Sequence, residues 1–287
     1  MNIVDRGHGP PLVLVPSLHG RWEYLRPAVD ALAESFRVVS FALVGEPRAG
    51  LRPPRGLDDF ADQIERTMDD CGIGTAVICG VSFGGLAALR FVARRPERAS
   101  ALILVSTPGP TWQMKPRHGL YARWPWIFAP LFIAETPWRL WPEIAAAIPN
   151  GGQRASFVWS QLRTLVQAPL SLLRMAARAR LVDAADPAAD CGRISVATLV
   201  VTGEPSLDQV VSAAGTAEYV RFIRGARAIR IARTGHLGSI TRPREFASAV
   251  RAFALEALGA PPTRPDDLGL GHRRSRAPDG TDPHAAA

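Results

Sequence analysis

Ser82 stands at the centre of "GVSFG", which follows the apolar run "TAVIC" and leads into the amphipathic run "FGGLAALRFVARR". A serine hydroxyl is a weak nucleophile at neutral pH, so it reacts only beside a base and near donors that stabilise an oxyanion. A sharp turn from a strand into a helix exposes such a serine, and flanking glycines let the two elements approach closely. The pattern favours a nucleophilic Ser82 over a glycine-rich turn that only packs or binds an anion.

A nucleophilic serine requires a histidine that takes its proton. Of the six histidines, four lie in an entry turn, a helical insertion or the C-terminal tail, namely His8, His118, His272 and His284. His19 and His236 remain. We favour His236, because it follows the last predicted strand and precedes the last predicted helix, at the edge where open α/β sheets place their ligands. The alternative is that His236 is an ordinary loop histidine.

An acid that orients the histidine completes the set. Asp208 lies just beyond the preceding predicted strand, in "VVTGEPSLDQVVS". Glu204 is the rival candidate, since it stands closer to the strand end. Asp208 could instead cap the following helix. The order Ser82, Asp208 and His236 along one sheet edge favours the catalytic interpretation.

Short β-rich runs alternate with helical patterns outside the middle of the chain. Continuous apolar strands separated by amphipathic helices indicate a parallel sheet that is covered on both faces. We therefore predict an α/β fold with a doubly wound, mostly parallel sheet. The predicted strands are 12–15, 37–43, 75–79, 101–106, 196–203 and 226–232, and the predicted helices lie near 21–34, 58–70, 83–94, 211–224 and 243–258.

The alternation stops between about 109 and 192, where helical patterns follow one another without strands and six of the seven tryptophans lie. We predict a helical cap at 109–192, inserted between two parts of one core, 1–108 and 193–258. The remaining residues, 259–287, have almost no apolar periodicity and many Pro, Arg and Asp residues, which predicts a disordered tail.

The composition excludes several classes of protein. The net charge is +8, and of the 34 basic residues only Lys115 is lysine. The sequence contains no basic run with interleaved aromatics, so nucleic-acid binding is not expected. The three cysteines have no metal-ligand spacing, and we expect neither a metal nor a cofactor. Their odd number argues against a disulfide framework, so a reducing cytoplasm is expected. The chain shows neither a leader pattern at its start nor an apolar run of membrane-spanning length.

The segment 111–180 carries nine basic and two acidic residues, Glu135 and Glu143, so its net charge is +7. Together with the tryptophans, this charge suits an apolar acyl pocket under a lid that attracts anionic substrates, or a membrane surface. The alternative, which we favour, is a solvated outer face with the tryptophans packed onto the sheet domain.

Three anchors, "GVSFGG", "TGEPSLDQVV" and "RTGHLG", resemble the α/β-hydrolase superfamily of the serine nucleophile-elbow type, and the resemblance covers roughly residues 7–258. It implies the α/β-hydrolase fold with a helical lid. Epoxide hydrolases and haloalkane dehalogenases of this fold use a carboxylate at the elbow, so Ser82 disfavours those chemistries. The loop "FALVGEPRAG" departs from the Asp-x-Pro-Gly-His-Gly type that many relatives carry, and this weakens any inference about substrate class.

The resemblance also implies two oxyanion-hole donors. One is the backbone N–H after the nucleophile, which here belongs to Phe83. The other comes from the loop after an early strand, where relatives usually carry His-Gly directly after the apolar run; here "PSL" separates the two. Alignment on the distance to Trp22 places Leu18 at the donor position, whereas alignment on the His-Gly pair places Arg21 there. We favour Leu18, with His19 as a loop residue.

We therefore expect a serine hydrolase that cleaves a carboxylic ester, a lactone or a similar small acyl substrate, apolar or anionic, through an acyl-enzyme intermediate. Carbon–carbon bond hydrolysis and acyl transfer to an acceptor other than water use the same residues and remain open. A non-catalytic ligand-binding or membrane-surface protein on this fold is the alternative from another class. It is disfavoured because such a protein has no need of all three residues.

Overall fold

The computed structural model of the protein describes residues 2–46 and 54–259, and these residues contain one seven-stranded sheet. Apolar, β-branched runs form its central strands because both faces of each strand are covered. In β4 and β6, for example, every residue is buried. The strands are β1 (Ile3–Arg6), β2 (Pro11–Val15), β3 (Arg37–Phe41), β4 (Ala76–Val81), β5 (Ala99–Val105), β6 (Thr198–Thr202) and β7 (Arg227–Arg230).

The strand order is β1-β3-β2-β4-β5-β6-β7, and every neighbouring pair except β1 with β3 is parallel. The predicted α/β fold with a doubly wound, mostly parallel sheet is thereby confirmed. The prediction missed β1, whose sequence "IVDR" has one buried residue, Val4, and therefore no apolar run. Antiparallel pairing with β3 holds this edge strand in place.

Helices cover both faces of the sheet. One apolar cluster packs α2 and α3 on the first face, and a second cluster packs α1 and α12 on the other. These helices are α1 (Arg26–Leu32), α2 (Leu57–Asp70), α3 (Phe83–Arg94) and, at the end of the described chain, α12 (Pro243–Ala257). Two short 3₁₀ helices, Trp22–Leu25 and Pro96–Arg98, lead into α1 and β5.

Five helices follow one another between β5 and β6 without an intervening strand. They are α4 (Pro116–Arg123), α5 (Pro125–Ala147), α6 (Gly151–Gln167), α7 (Leu172–Asp183) and α8 (Pro187–Cys191). We call them the cap and retain 109–192 as its proposed extent, with 1–108 and 193–258 as the proposed core. The predicted tail lies outside the described residues, apart from Gly259.

The prediction of a single helix near 211–224 is wrong. This segment forms two short helices, α9 (Ala213–Ala217) and α10 (Tyr219–Phe222). Each is tied separately to the loop after β5, because Thr216 donates its hydroxyl hydrogen bond to the Thr107 carbonyl and Tyr219 donates to the Pro108 carbonyl. A further short helix, α11 (Gly238–Thr241), precedes α12.

The expectation that the cap tryptophans pack onto the sheet domain is also wrong. Five of them are 51–83% exposed: Trp124, Trp126, Trp138, Trp141 and Trp159. The reason lies in how the cap helices attach. The buried residues of α5 are confined to its C-terminal end, at Glu143, Ile144 and Ala147, and α6 has no buried residue. The tryptophans of α5 and the single tryptophan of α6, Trp159, are therefore left exposed.

No helix within residues 2–46 and 54–259 is long and apolar enough to cross a membrane. Over the same ranges, no group of three or more His, Cys, Asp or Glu side chains is arranged to hold a metal ion. Cys71, Cys79 and Cys191 are free thiols, and the latter two are buried.

Candidate active site

Ser82 occupies the turn between β4, which ends at Val81, and α3, which begins at Phe83. Its backbone has φ 53° and ψ −119°, a conformation that costs of the order of 1–3 kcal/mol for a residue with a side chain. The surrounding structure holds it there, since the Ser82 N–H donates to the Val105 carbonyl of β5. The sharp strand-to-helix turn predicted from "GVSFG" is present.

The glycines around Ser82 are required by close approach of the backbone. A Cβ atom at Gly80 would meet the carbonyl oxygen of Gly84 well inside van der Waals contact, and one at Gly84 would meet the carbonyl oxygen of Val15 in the same way. A larger residue at either position would push α3 away from β4 and β2. These glycines therefore make the sharp turn at Ser82 sterically feasible.

His236 and Asp208 lie in adjacent loops after β7 and β6. The Asp208 Oδ2 atom is 3.5 Å from His236 Nδ1, and both side chains are nearly or fully buried. Asp208 Oδ1 accepts hydrogen bonds from the backbone N–H groups of Val210 and Val211, at 3.0 and 2.9 Å. Because one oxygen is held by the loop, the other is free to face the imidazole. Catalytic hydrogen bonds are often this long in unliganded enzymes and shorten on binding.

Neither Asp208 Oδ2 nor His236 Nδ1 has a hydrogen-bond partner within the described chain. A buried polar pair without other partners is costly, so each atom has only the other to satisfy it. The close packing of the two loops fixes the pair, because a Cβ atom at Gly235 would overlap the backbone of Leu207 and Asp208. The carboxylate and imidazole are thus positioned to interact.

Glu204, the rival acid, has a different contact. Its carboxylate accepts a 2.6 Å hydrogen bond from the Arg233 backbone N–H, and its own N–H donates to the Thr234 carbonyl. The Glu204 carbonyl accepts from the N–H groups of Leu207 and Asp208. Glu204 therefore joins the loops after β6 and β7, and its carboxylate makes no contact with His236 in the part of the chain that the structure describes.

Glu143 is a buried acid beside His236 that the sequence interpretation did not select. From α5 of the cap, its Oε1 atom accepts hydrogen bonds from the Thr234 hydroxyl and the Leu237 N–H, both at 2.7 Å. Burial raises the pKa of Glu143, against the lowering effect of these donors. Glu143 thus links the cap to the histidine loop. As one of two acids in a basic segment, it was an unusual residue, but its sequence position did not indicate this contact.

A cavity of about 190 Å³ lies between the core and the cap and is lined largely by apolar side chains. Ser82, Phe83 and Leu18 form part of its wall on the core side. Val211, whose N–H binds Asp208, lines it too. From the cap and the loop that leads into it, apolar contributions include Trp112, Met114, Phe128, Phe132 and Met175.

The backbone N–H groups of Leu18 and Phe83 donate to no hydrogen bond recorded within residues 2–46 and 54–259. Both residues line the cavity together with Ser82. Arg21, the alternative donor, does not line the cavity, and its guanidinium binds Glu23. The choice of Leu18 over Arg21 stays a prediction.

Arg178 of α7 is fully buried, although the sequence interpretation placed it among the basic residues of a solvated cap face. Its guanidinium donates to the Leu18 carbonyl at 3.1 Å and to Glu46 Oε1 at 2.8 Å. Arg174 also lies 3.2 Å from the same Glu46 oxygen. Gly20 permits this contact, since a Cβ atom there would overlap the Arg178 guanidinium. Arg178 therefore anchors the cap to the loop that carries Leu18.

His19 is partly buried next to that anchor, and its Nδ1 lies 3.2 Å from the Ser17 hydroxyl. Burial, followed by charge repulsion from His236 and Arg178, lowers the pKa of His19 to about 4. The ring is therefore neutral near pH 7. The assignment of His19 as a loop residue stays a prediction.

We expect His19→Gln to weaken the acid sensitivity of folding. The unfolded chain binds a proton at His19 near the ordinary pKa of 6.5, whereas the folded chain does so only near 4. Wild-type stability should consequently fall as pH drops from 6.5 to 4, by at most roughly 3 kcal/mol from this residue. Urea denaturation at pH 7 and pH 4 measures the difference. The exposed His8 provides the control His8→Gln, and identical pH dependences for wild type and His19→Gln would contradict the assignment.

Comparison with known proteins adds a family match. Residues 10–243 match the family model described as alpha/beta hydrolase fold. This range includes β2 to β7, the cap and all residues of the candidate site. The match therefore extends across the elements that position the site.

Two curated relatives align with nearly the whole chain. The polyketide synthase ThaQ of Burkholderia thailandensis is 29% identical over 272 residues, which are 90% of this chain but only 12% of the synthase. The pimeloyl-[acyl-carrier protein] methyl ester esterase of Nitrosomonas europaea is 24% identical over 266 residues, covering 88% of this chain and 99% of the esterase.

Among solved structures, the enol-lactonase from Burkholderia xenovorans LB400 is similar with a TM-score of 0.72. The two chains are 24% identical, and the alignment covers 88% of this chain and 95% of the lactonase. At this level of identity the likeness concerns the fold.

Proposed function

The chain belongs to the α/β-hydrolase fold family, as its three sequence anchors predict, and we propose that it is a serine hydrolase acting on a carboxylic ester, lactone or similar small acyl substrate. The observation that carries the proposal is the strained backbone of Ser82 at a strand-to-helix turn that opens onto an apolar cavity. Strain of this kind persists only where the surrounding structure enforces it, and it clusters at active sites. The Asp208–His236 pair in the neighbouring loops supports the same interpretation.

In the proposed reaction, Ser82 Oγ attacks the substrate carbonyl carbon while His236 accepts the hydroxyl proton. Asp208 orients His236 through Nδ1 and stabilises the imidazolium that forms. The N–H groups of Leu18 and Phe83 donate to the oxyanion. The tetrahedral intermediate collapses to an acyl-enzyme, and His236 returns the proton to the leaving alcohol. A water molecule, deprotonated by His236, then releases the acid and regenerates Ser82.

The substrate class is supported by the cavity and by one relative. An apolar cavity of about 190 Å³ suits an acyl group of a few carbons to a small ring. The Nitrosomonas europaea relative is by name a methyl ester esterase, and carboxylic ester cleavage is the activity we extend to this chain. The free thiols of all three cysteines keep the cytoplasm as the proposed location.

Hydrolysis of a p-nitrophenyl ester by wild type, Asp208→Asn and Glu204→Gln tests this proposal. We expect Asp208→Asn to lower kcat by about 10³- to 10⁴-fold, because the amide favours the wrong imidazole tautomer. Glu204→Gln serves as the matched control and should retain most of the activity, since its carboxylate is hydrogen-bonded to the Arg233 backbone N–H rather than to His236. A larger loss in Glu204→Gln would reverse the choice of acid. Absence of turnover by wild type across short and medium acyl chains would contradict the proposed function itself.

A further inference from the structure

Arg139 of α5 is an unpaired cation, among the described residues, on the wall of the largely apolar cavity. Five arginines have a buried Nε atom that lacks a hydrogen-bond acceptor among the described residues: Arg90, Arg139, Arg174, Arg178 and Arg242. Four of these five form ion pairs with carboxylates. Arg139 has no carboxylate partner and donates no hydrogen bond within the described ranges. Its guanidinium instead lies over the ring of Phe132, with the Cζ atom 4.8 Å from the ring centroid.

The surroundings of Arg139 are cationic. Burial and then repulsion from Arg117 lower the pKa of Arg139. Burial followed by repulsion from Arg139, Lys115 and Arg117 likewise lowers the pKa of His118, which lines the same cavity. The nearby acid Glu135 is already paired with Arg117. A partly desolvated guanidinium without a counter-ion is unfavourable, so an anion that enters the cavity would remove this cost.

The helix geometry relates Arg139 to the candidate catalytic residues. Arg139 and Glu143 are four residues apart and therefore share one face of α5, with a rise of about 6 Å between them. Glu143 accepts hydrogen bonds from Thr234 and Leu237, which lie two residues before and one residue after His236 in the same loop. Arg139 thus lies one turn of helix from the contact with the histidine loop, on a wall that it shares with Ser82.

We propose that Arg139 binds a carboxylate of the substrate, so that this site takes small acyl compounds with an apolar body and a second, ionised carboxylate. The inference rests on the proposed function and specifies its substrate class. A guanidinium presents a planar set of donors that matches a carboxylate through two parallel hydrogen bonds. The apolar lining lowers the local polarity around that contact, which strengthens it. The cost of the unpaired Arg139 is then the basis of discrimination against neutral esters.

Two esters of equal length test the proposal: p-nitrophenyl hexanoate and the mono-p-nitrophenyl ester of adipic acid, in which a carboxylate replaces the terminal methyl group. Their kcat/KM values are measured for wild type, Arg139→Met and Arg163→Met, with enzyme-free rates subtracted. Arg163 is an exposed arginine of α6, so its variant is a control for the general loss of one positive charge.

We expect wild type to prefer the adipate ester by at least about tenfold. Arg139→Met should lose at least about tenfold in kcat/KM on the adipate ester and stay within about threefold on hexanoate, and Arg163→Met should resemble wild type on both. Retained hexanoate activity shows that the variant is folded. Equal losses on both esters, or a wild-type preference for hexanoate, would overturn the role of Arg139.

If wild type hydrolyses neither ester, the proposed function fails. Calorimetric titration with adipate then tests separately whether Arg139 binds a carboxylate. Binding to wild type that is at least about tenfold tighter than to Arg139→Met supports the carboxylate site. Equal affinities, or no binding to either protein, refute it.

Discussion

Ser82→Ala is expected to lower kcat/KM for a p-nitrophenyl ester by at least about 10⁴-fold. The variant removes the only atom that forms the acyl-enzyme bond in the proposed mechanism, and the free N–H groups of Leu18 and Phe83 leave only residual catalysis. Stability should change by less than about 1 kcal/mol, because alanine retains the Cβ atom and Ser82 Oγ makes no hydrogen bond with a described residue. Loss of activity without loss of fold is therefore the expected result.

Ser106→Ala provides a matched control for this experiment. Ser106 is also a buried serine with positive φ, at 44°, and it directly follows the neighbouring strand β5. It does not line the cavity, so its variant should hydrolyse the ester at close to the wild-type rate. Denaturation midpoints and steady-state kinetics are measured for all three proteins. Comparable activity of wild type and Ser82→Ala would remove Ser82 from the mechanism.

Arg178→Met is expected to destabilise the fold by about 3–5 kcal/mol, because it breaks a buried ion pair and leaves its partner charge behind. Both side chains of the Arg178–Glu46 pair are only 1% exposed. Among the described residues, removal of the guanidinium leaves the buried Glu46 carboxylate with the contact to Arg174 alone, and it also removes a donor from the Leu18 and Val44 carbonyls. Methionine fills a similar volume, so the loss reflects charge and hydrogen bonding more than an empty space.

Urea denaturation at pH 7 measures this loss, and two further variants isolate its cause. Arg227→Met breaks an ion pair with Glu256 whose side chains are 51% and 66% exposed, so it should cost less than about 1 kcal/mol. The double variant Arg178→Met with Glu46→Gln removes the unpaired charge and should recover part of the stability. If Arg178→Met and Arg227→Met are equally stable, the buried pair does not hold the cap to the Leu18 loop.

Short charged segments were the hardest part of the fold to predict from sequence. The edge strand β1 has one buried residue, and only its pairing with β3 defines it. Central strands such as β4 were predictable because burial on both faces demands a continuous apolar run. The apolar pattern thus predicts strands that are buried in the core. It does not predict an edge strand such as β1, which is held mainly by backbone hydrogen bonds.

The candidate site shows the same division. The turn at Ser82 and its glycines was predictable because it depends on local backbone sterics. Ser82, Asp208 and His236 were expected to lie near one another because each follows a strand that ends at the same edge of the sheet. The choice between Asp208 and Glu204 was open in the sequence, since both follow β6. Loop packing places Asp208 Oδ2 3.5 Å from His236 Nδ1 and turns Glu204 to the Arg233 backbone.

By itself, the amino-acid sequence determined the alternating α/β architecture and the turn at Ser82, because apolar periodicity and glycine sterics act over a few neighbouring residues. Only the tertiary structure decided which charges are buried. Glu143, Arg139 and Arg178 all belong to a segment whose composition indicates a solvated basic surface, yet one contacts the histidine loop, one lines the cavity and one anchors the cap. The energy of a charge depends on its partners in space, and sequence spacing does not encode those partners.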